Sequence, residues 1–155
     1  MPSSRRFVPD WPAVLTTAML CLTVGVIHIV DQGGITKYAG SPWWLGWGYR
    51  AIEIGAAVTA VALVVRRRWM PAWLSAFLVG FGPFSVFLLT RLVGLPGDSS
   101  DFGNWGDPLG TVSLFVEGTL MLAGATMIVH VFADREPVNP NDLLGTDQIA
   151  QRLAG

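Results

Sequence analysis

The sequence predicts an all-α integral membrane protein that folds as a four-helix bundle. Four long apolar runs lie along a chain of 155 residues, and the short stretches between them hold most of the charges. Hydrophobic residues make up 52% of the chain and charged residues 14%, against about 25% charged in a typical soluble domain. Because backbone groups in hydrocarbon must form hydrogen bonds within their own segment, we expect each run to be a helix.

One bundle domain, residues 1–133, contains four predicted spans, which cover about residues 12–30, 44–65, 71–92 and 109–133. The first span has nineteen residues without a full charge, enough to cross about 30 Å of hydrocarbon at about 1.5 Å per residue. It is long for a signal peptide and no small-residue cleavage site follows it, which indicates a retained anchor. Pro83 predicts a kink in the third span. The polar residues 134–155 predict a cytoplasmic tail.

The distribution of basic residues predicts the orientation of the bundle, since Lys and Arg concentrate in cytoplasmic loops. One side of the predicted topology has only Lys37, with Arg50 and Arg91 near the helix ends. The other side has seven arginines: Arg5, Arg6, Arg66, Arg67, Arg68, Arg135 and Arg152. Both termini are therefore expected in the cytoplasm. Tryptophans at the span ends are expected to form interface belts, Trp43, Trp44, Trp47 and Trp105 outside and Trp11, Trp69 and Trp73 inside.

Composition also disfavours several functions. The net charge of −1 provides no basic surface for nucleic acid. The single cysteine, Cys21, allows neither an intramolecular disulfide nor a CxxC redox pair. We find no cofactor motif, no metal-binding spacing of histidines and no nucleophile–base pair, so we expect neither a cofactor nor a metal, and an enzyme ranks last among the hypotheses.

A few ionisable residues lie inside the spans, where charge is costly and usually faces the bundle interior or a cavity. Helical rise places His28, Glu53, Arg91 and Glu117, one from each span, in the outer half of the bundle. Asp31 follows the first span directly. These five residues are the predicted site, and we expect them to converge.

Three interpretations of this set stay open. In the first, Arg91, which keeps its proton and needs a carboxylate, forms an ion pair with Glu53 or Glu117 that only fixes helix packing. In the second, the remaining carboxylate, with His28 or Asp31, binds a proton, a cation or a small polar ligand. A third possibility is that Arg91 only extends to the interface.

Other charged residues are expected to be peripheral. Arg50 should reach the outer interface, and His130 should lie at the inner one. The acids of the second outer loop, Asp98, Asp101 and Asp107, should be solvated.

Residues 90–118 resemble a group of small, four-span bacterial integral membrane proteins. Their pattern is an Arg at the end of the third span, a VGLPG segment, a loop with Trp, an acidic-Pro-Leu-Gly start of the fourth span and a Glu inside it. The matching residues are Arg91, Val93, Gly94, Leu95, Pro96, Gly97, Trp105, Asp107, Pro108, Leu109, Gly110, Ser113 and Glu117. Asp107 stands where Glu is common. The resemblance implies a multi-pass protein of the bacterial plasma membrane and no established activity.

Two hypotheses about function follow. In the first, the outer half of the bundle holds a charged cavity that binds a proton, an ion or a small polar ligand. In the second, the protein is a structural or accessory subunit whose ion pair only fixes helix packing. The expected partners are the lipid bilayer and either a second copy of the chain or a larger membrane complex.

Overall fold

The computed structural model describes residues 8–35, 42–97 and 99–133. The predicted tail, residues 134–155, and Asp98 lie outside these ranges. The described residues form four helices and no strands: α1 (Trp11–Asp31), α2 (Trp43–Val65), α3 (Met70–Leu92) and α4 (Pro108–Ala133). All four are long and apolar enough to cross a membrane. The prediction of an all-helical chain with four such helices is confirmed, and each helix begins one residue before its predicted span.

Local sequence explains where the helices begin and end. Asp10 caps α1, because its Oδ1 accepts a hydrogen bond of 3.0 Å from the N–H of Ala13. Gly33 and Gly34 end α1 with positive φ angles of 84° and 125°, and the Gly34 N–H donates to the carbonyl of Ile29 at 2.8 Å. Asp107 caps α4 by accepting from the N–H of Leu109 at 3.1 Å.

Consecutive helices form two hairpins, α1–α2 and α3–α4, with the most extensive contacts of the bundle. The hairpins meet through smaller α1–α4 and α2–α3 contacts. The bundle therefore has two distinct ends. The turn end carries the α2–α3 turn, and the cavity end carries the α1–α2 and α3–α4 connections.

The α3–α4 contact depends on glycine. A Cβ on Gly80 would lie 2.6 Å from the carbonyl oxygen of Glu117, and one on Gly124 would lie 2.7 Å from the backbone nitrogen of Phe77. The backbones of the two helices therefore touch at two points along the hairpin. α3 continues through Pro83 as one helix.

The apolar core lies toward the turn end. Most of its residues come from α1, the second half of α2 and the first half of α3, as in Val14, Leu63 and Trp73, and α4 contributes Leu120. The outward faces are apolar too, with Met19 on α1 and Phe115 on α4 among the exposed side chains. An exposed apolar surface of this extent is typical of a face that contacts lipid or another protein.

Candidate functional site

A cavity of about 220 Å³ lies at the cavity end, and all four helices line it. The second half of α1, the first half of α2, the second half of α3 and the first half of α4 meet here. Its walls are mainly apolar and aromatic, and include Trp44, Tyr49 and Phe87. Its polar lining consists of His28, Asp31, Tyr49, Arg91, Asp107, Ser113 and Glu117.

Glu117 is the most deeply buried acidic or basic side chain in the described part of the chain, with 1% of its surface exposed. The Ser113 hydroxyl, one turn earlier on α4, donates a hydrogen bond to Oε1. The Nε2 atom of His28 lies 3.8 Å from the same oxygen. The other oxygen, Oε2, is buried and has no hydrogen-bond partner among the described residues.

His28 is fixed by its own helix. Its Nδ1 lies 2.9 Å from the carbonyl oxygen of Val24, and since a carbonyl only accepts, Nδ1 carries the hydrogen. Nε2 is therefore the atom left to face Glu117 across the α1–α4 contact. Its distance to Oε1 exceeds that of a hydrogen bond, so the two groups can share a proton only through a small movement or a bridging group.

Arg91 does not pair with either glutamate, which corrects the predicted ion pair. Its Nη1 lies 2.9 Å from Oδ2 of Asp101, and its Nη2 lies 3.5 Å from Oδ2 of Asp107. Nε donates to the carbonyl of Asn104 at 3.2 Å. The prediction that Asp101 and Asp107 are solvated loop acids is correct only in part, because the connection folds back and brings both to Arg91 while their side chains stay 37% and 30% exposed.

Arg91 also holds this connection through its backbone and its ring contact. Its carbonyl accepts a hydrogen bond of 3.0 Å from the N–H of Gly103. Its guanidinium carbon lies 4.0 Å from the ring centroid of Phe87. With only 7% of the residue exposed, Arg91 fixes the α3–α4 connection over the cavity.

Glu53 is not among the residues that line the cavity. Its Oε2 lies 2.6 Å from Nη1 of Arg50, and its Oε1 accepts a hydrogen bond from the side chain of Gln32. Arg50 also donates to the carbonyl of Ile35, and its place at the outer interface stays a prediction. Glu53 and Arg50 together hold Gln32 and Ile35, which follow α1 directly.

Asp31 lies in an exposed position at the end of α1 and accepts a hydrogen bond from the Tyr49 hydroxyl. The Tyr49 ring stands 5.5 Å from that of His28. Asp31, Tyr49 and His28 therefore lie one after another between the end of α1 and Glu117.

Four of the five predicted site residues line the cavity: His28, Asp31, Arg91 and Glu117. Glu53 does not. Sequence reasoning missed Tyr49, Asp107 and Ser113. Ser113 had a usable signal, because it stands four residues before Glu117 on the same helical face. Asp107 had none, since three loop acids of similar setting precede α4.

The structure defines a four-helix bundle with a cavity between its two hairpins, mainly apolar but lined by several ionisable side chains. Within the described ranges, no group of three or more His, Cys, Asp or Glu side chains is arranged to hold a metal ion. Comparison of the chain with known protein families, curated proteins and solved structures finds no match.

Proposed function

We propose that this chain is an integral membrane protein whose cavity binds a proton or a small cationic ligand at Glu117. In this proposal Glu117 is the binding carboxylate and His28 is its proton partner. Asp31 and Tyr49 form the approach from the cavity end. Arg91 has a separate, structural role.

One observation carries the proposal: Oε2 of Glu117 is buried against the cavity without a partner among the described residues. An unsatisfied carboxylate oxygen in the interior costs about 1–3 kcal/mol or more. Polar groups this expensive inside a membrane bundle usually belong to a ligand or proton pathway. A ligand that donates a hydrogen bond to Oε2 would remove that cost.

Charge and shape favour a small cation. Three carboxylates, Asp31, Asp107 and Glu117, line the cavity beside one permanent cation, Arg91, and Arg91 is already paired. A cavity of about 220 Å³ has room for several water-sized groups, each about 30 Å³ in the liquid. The aromatic walls suit an alkyl chain or a cation placed over a ring.

Propylammonium chloride is a suitable probe because it combines an ammonium donor with a short apolar chain. We expect it to raise the Tm of the detergent-purified protein in a dose-dependent way, relative to sodium chloride at the same ionic strength. Glu117→Gln should abolish this shift while its Tm without probe stays the same or rises, since the buried charge is removed.

Glu53→Gln is the matched control. It removes the ion pair with Arg50 and should lower the free energy of unfolding by about 1–2 kcal/mol, which appears as a lower Tm. The increase in Tm caused by propylammonium should persist. If the wild-type protein shows no shift and Glu117→Gln is strongly destabilised, Glu117 has a packing role and the ligand proposal fails.

The second candidate, a structural or accessory membrane subunit, is favoured by the contacts of Arg91. That side chain anchors the α3–α4 connection instead of engaging Glu117. A connection fixed in this way presents a constant surface to a larger complex or to a second copy of the chain. In this candidate Glu117 would contribute to helix packing alone.

We also propose the bacterial plasma membrane as the location, with both termini cytoplasmic. The resemblance of residues 90–118 to four-span bacterial proteins supports the membrane. The seven arginines on one side of the topology support the orientation. The cavity then opens toward the outside of the cell.

A further inference from the structure

The α2–α3 turn presents three consecutive arginines, Arg66, Arg67 and Arg68, at the turn end. The turn is short and its backbone is fixed. The N–H of Arg66 donates to the carbonyl of Ala62 at 2.8 Å, and the N–H of Trp69 donates to that of Arg66 at 2.7 Å. Together with Val65 and Trp69, the arginines line an open depression on the surface.

Tryptophans position two of the guanidinium groups. The guanidinium carbon of Arg67 lies 4.8 Å from the ring centroid of Trp11, and that of Arg66 lies 5.8 Å from the ring centroid of Trp69. The fully buried Trp73 donates from its indole nitrogen to the Arg67 carbonyl at 2.8 Å. Trp73 is therefore part of the core, which corrects its predicted place in the interface belt, and it ties the turn to the bundle.

The charge of these arginines is not compensated within the described residues. None of the three forms an ion pair with a described carboxylate. Asp10 is the described carboxylate at this end, and its Oδ1 is occupied in capping α1. The local balance is thus three positive charges against one negative charge.

The position of the turn selects the class of ligand. α2 and α3 each have 23 residues, or about 35 Å at about 1.5 Å per residue, slightly more than a hydrocarbon core of about 30 Å. A turn that joins two such helices lies at the level of the lipid headgroups. Exposed Trp11 and Trp69 have the amphipathic character of residues at that depth.

We propose that the depression at Arg66–Trp69 binds the phosphate of an anionic phospholipid. Guanidinium groups bind phosphate oxygens through paired hydrogen bonds. The ring contacts of Arg66 and Arg67 reduce the side-chain freedom that binding would otherwise remove. Adjacent apolar surface at Val65 lies where the acyl chains would run.

The test is native mass spectrometry of the full chain with phosphatidylglycerol or phosphatidylcholine of identical acyl chains. We expect tighter binding of phosphatidylglycerol. A basic residue near a membrane surface contributes about 1 kcal/mol, so Arg68→Gln should weaken binding about fivefold. Arg68 is exposed, so this variant should fold normally, and adding Arg66→Gln should weaken binding about fivefold further.

Arg50→Gln is the matched control because it makes the same substitution at the cavity end. This variant should bind phosphatidylglycerol with the affinity of the wild type. Inorganic phosphate at millimolar concentration should not displace the lipid. Equal binding of the two lipids by the wild type would overturn the proposal, as would full retention of phosphatidylglycerol by the double variant. Displacement of the lipid by inorganic phosphate would also overturn the proposal and would indicate a site for free phosphate.

Discussion

Glu117 and Arg91 are both almost fully buried at the same end of the bundle, yet their surroundings differ in kind. Arg91 engages Asp101, Asp107 and a backbone carbonyl, so its charge is compensated on several sides. Glu117 has a serine hydroxyl and a histidine near one oxygen only. A compensated charge stabilises a structure, whereas a partly satisfied one is available for binding.

Arg91→Ala should lower the stability of the protein in detergent by about 2 kcal/mol. This is less than the cost of breaking a pair with two buried partners, because Asp101 and Asp107 keep part of their contact with water. Arg91→Lys should lose less stability, since it keeps the positive charge and loses only the planar set of hydrogen-bond donors.

Thermal unfolding measures these losses. Limited proteolysis between residues 93 and 107 measures the release of the connection. If Arg91→Ala leaves both unchanged, the structural role assigned to Arg91 is incorrect.

Sequence reasoning succeeded in part at the scale of residues. Helical rise was sufficient to bring His28, Arg91 and Glu117 to one depth, since depth within a straight span follows from residue count alone. It could not choose between partners. The pairing of Arg91 depends on the path of the connection, where Asp101 and Asp107 acquire their positions from turns and not from a period. Glu53 lies at the same predicted depth as the other site residues, but its carboxylate binds Arg50 and Gln32 instead.

At the scale of elements, the α3–α4 hairpin depends on two glycines that allow backbone contact. Gly80 packs on the carbonyl of Glu117, and Gly124 packs on the backbone of Phe77. Helical spacing alone puts Ser113, Glu117 and Gly124 on one face of α4. The helix on which each glycine would pack was not visible, since periodicity identifies a face but not its neighbour.

Gly80→Ala and Gly124→Ala should each lower stability by about 1–3 kcal/mol, the usual cost of overpacking. Each added methyl group meets backbone atoms, which cannot move aside without displacing a helix. Gly118→Ala is the control, since its Cβ would meet Phe84 at 3.6 Å, an ordinary contact. It should be neutral or stabilising, because Ala is the better helix former.

Thermal unfolding of the three variants in one detergent makes the comparison, and equal losses of stability in all three would refute the backbone contact.

At the scale of the whole molecule, the two ends have different characters. The turn end combines the apolar core with three arginines, and the cavity end combines acids, aromatic rings and Arg91. The hydropathy of the sequence was sufficient to predict the number of helices and their approximate bounds, because the thickness of a bilayer sets the length of an apolar span. The order of the helices around the bundle could not be predicted from hydropathy and is known only from the structure.

The proposed orientation can be tested with single cysteines and a membrane-impermeant maleimide on intact cells. Phe102→Cys, at an exposed position of the α3–α4 connection, should be labelled. Trp69→Cys, in the α2–α3 turn, should be labelled only after the cells are opened. The unmodified chain is the control, since its one cysteine, Cys21, is buried. Labelling of Trp69→Cys alone on intact cells would reverse the orientation.

The backbone contact at Gly80 and Gly124 also determines how the bundle can deform. Helices that meet through side chains slide by exchanging rotamers, but α3 and α4 have no such adjustable layer at these two points. They should therefore move as one rigid body. Any change in the width of the cavity then comes from displacement of one hairpin against the other, along the smaller α1–α4 and α2–α3 contacts. His28 and Glu117 lie on opposite sides of one of these contacts, 3.8 Å apart. Under the proposed function, a change in the separation of the hairpins would therefore change how readily these two side chains share a proton.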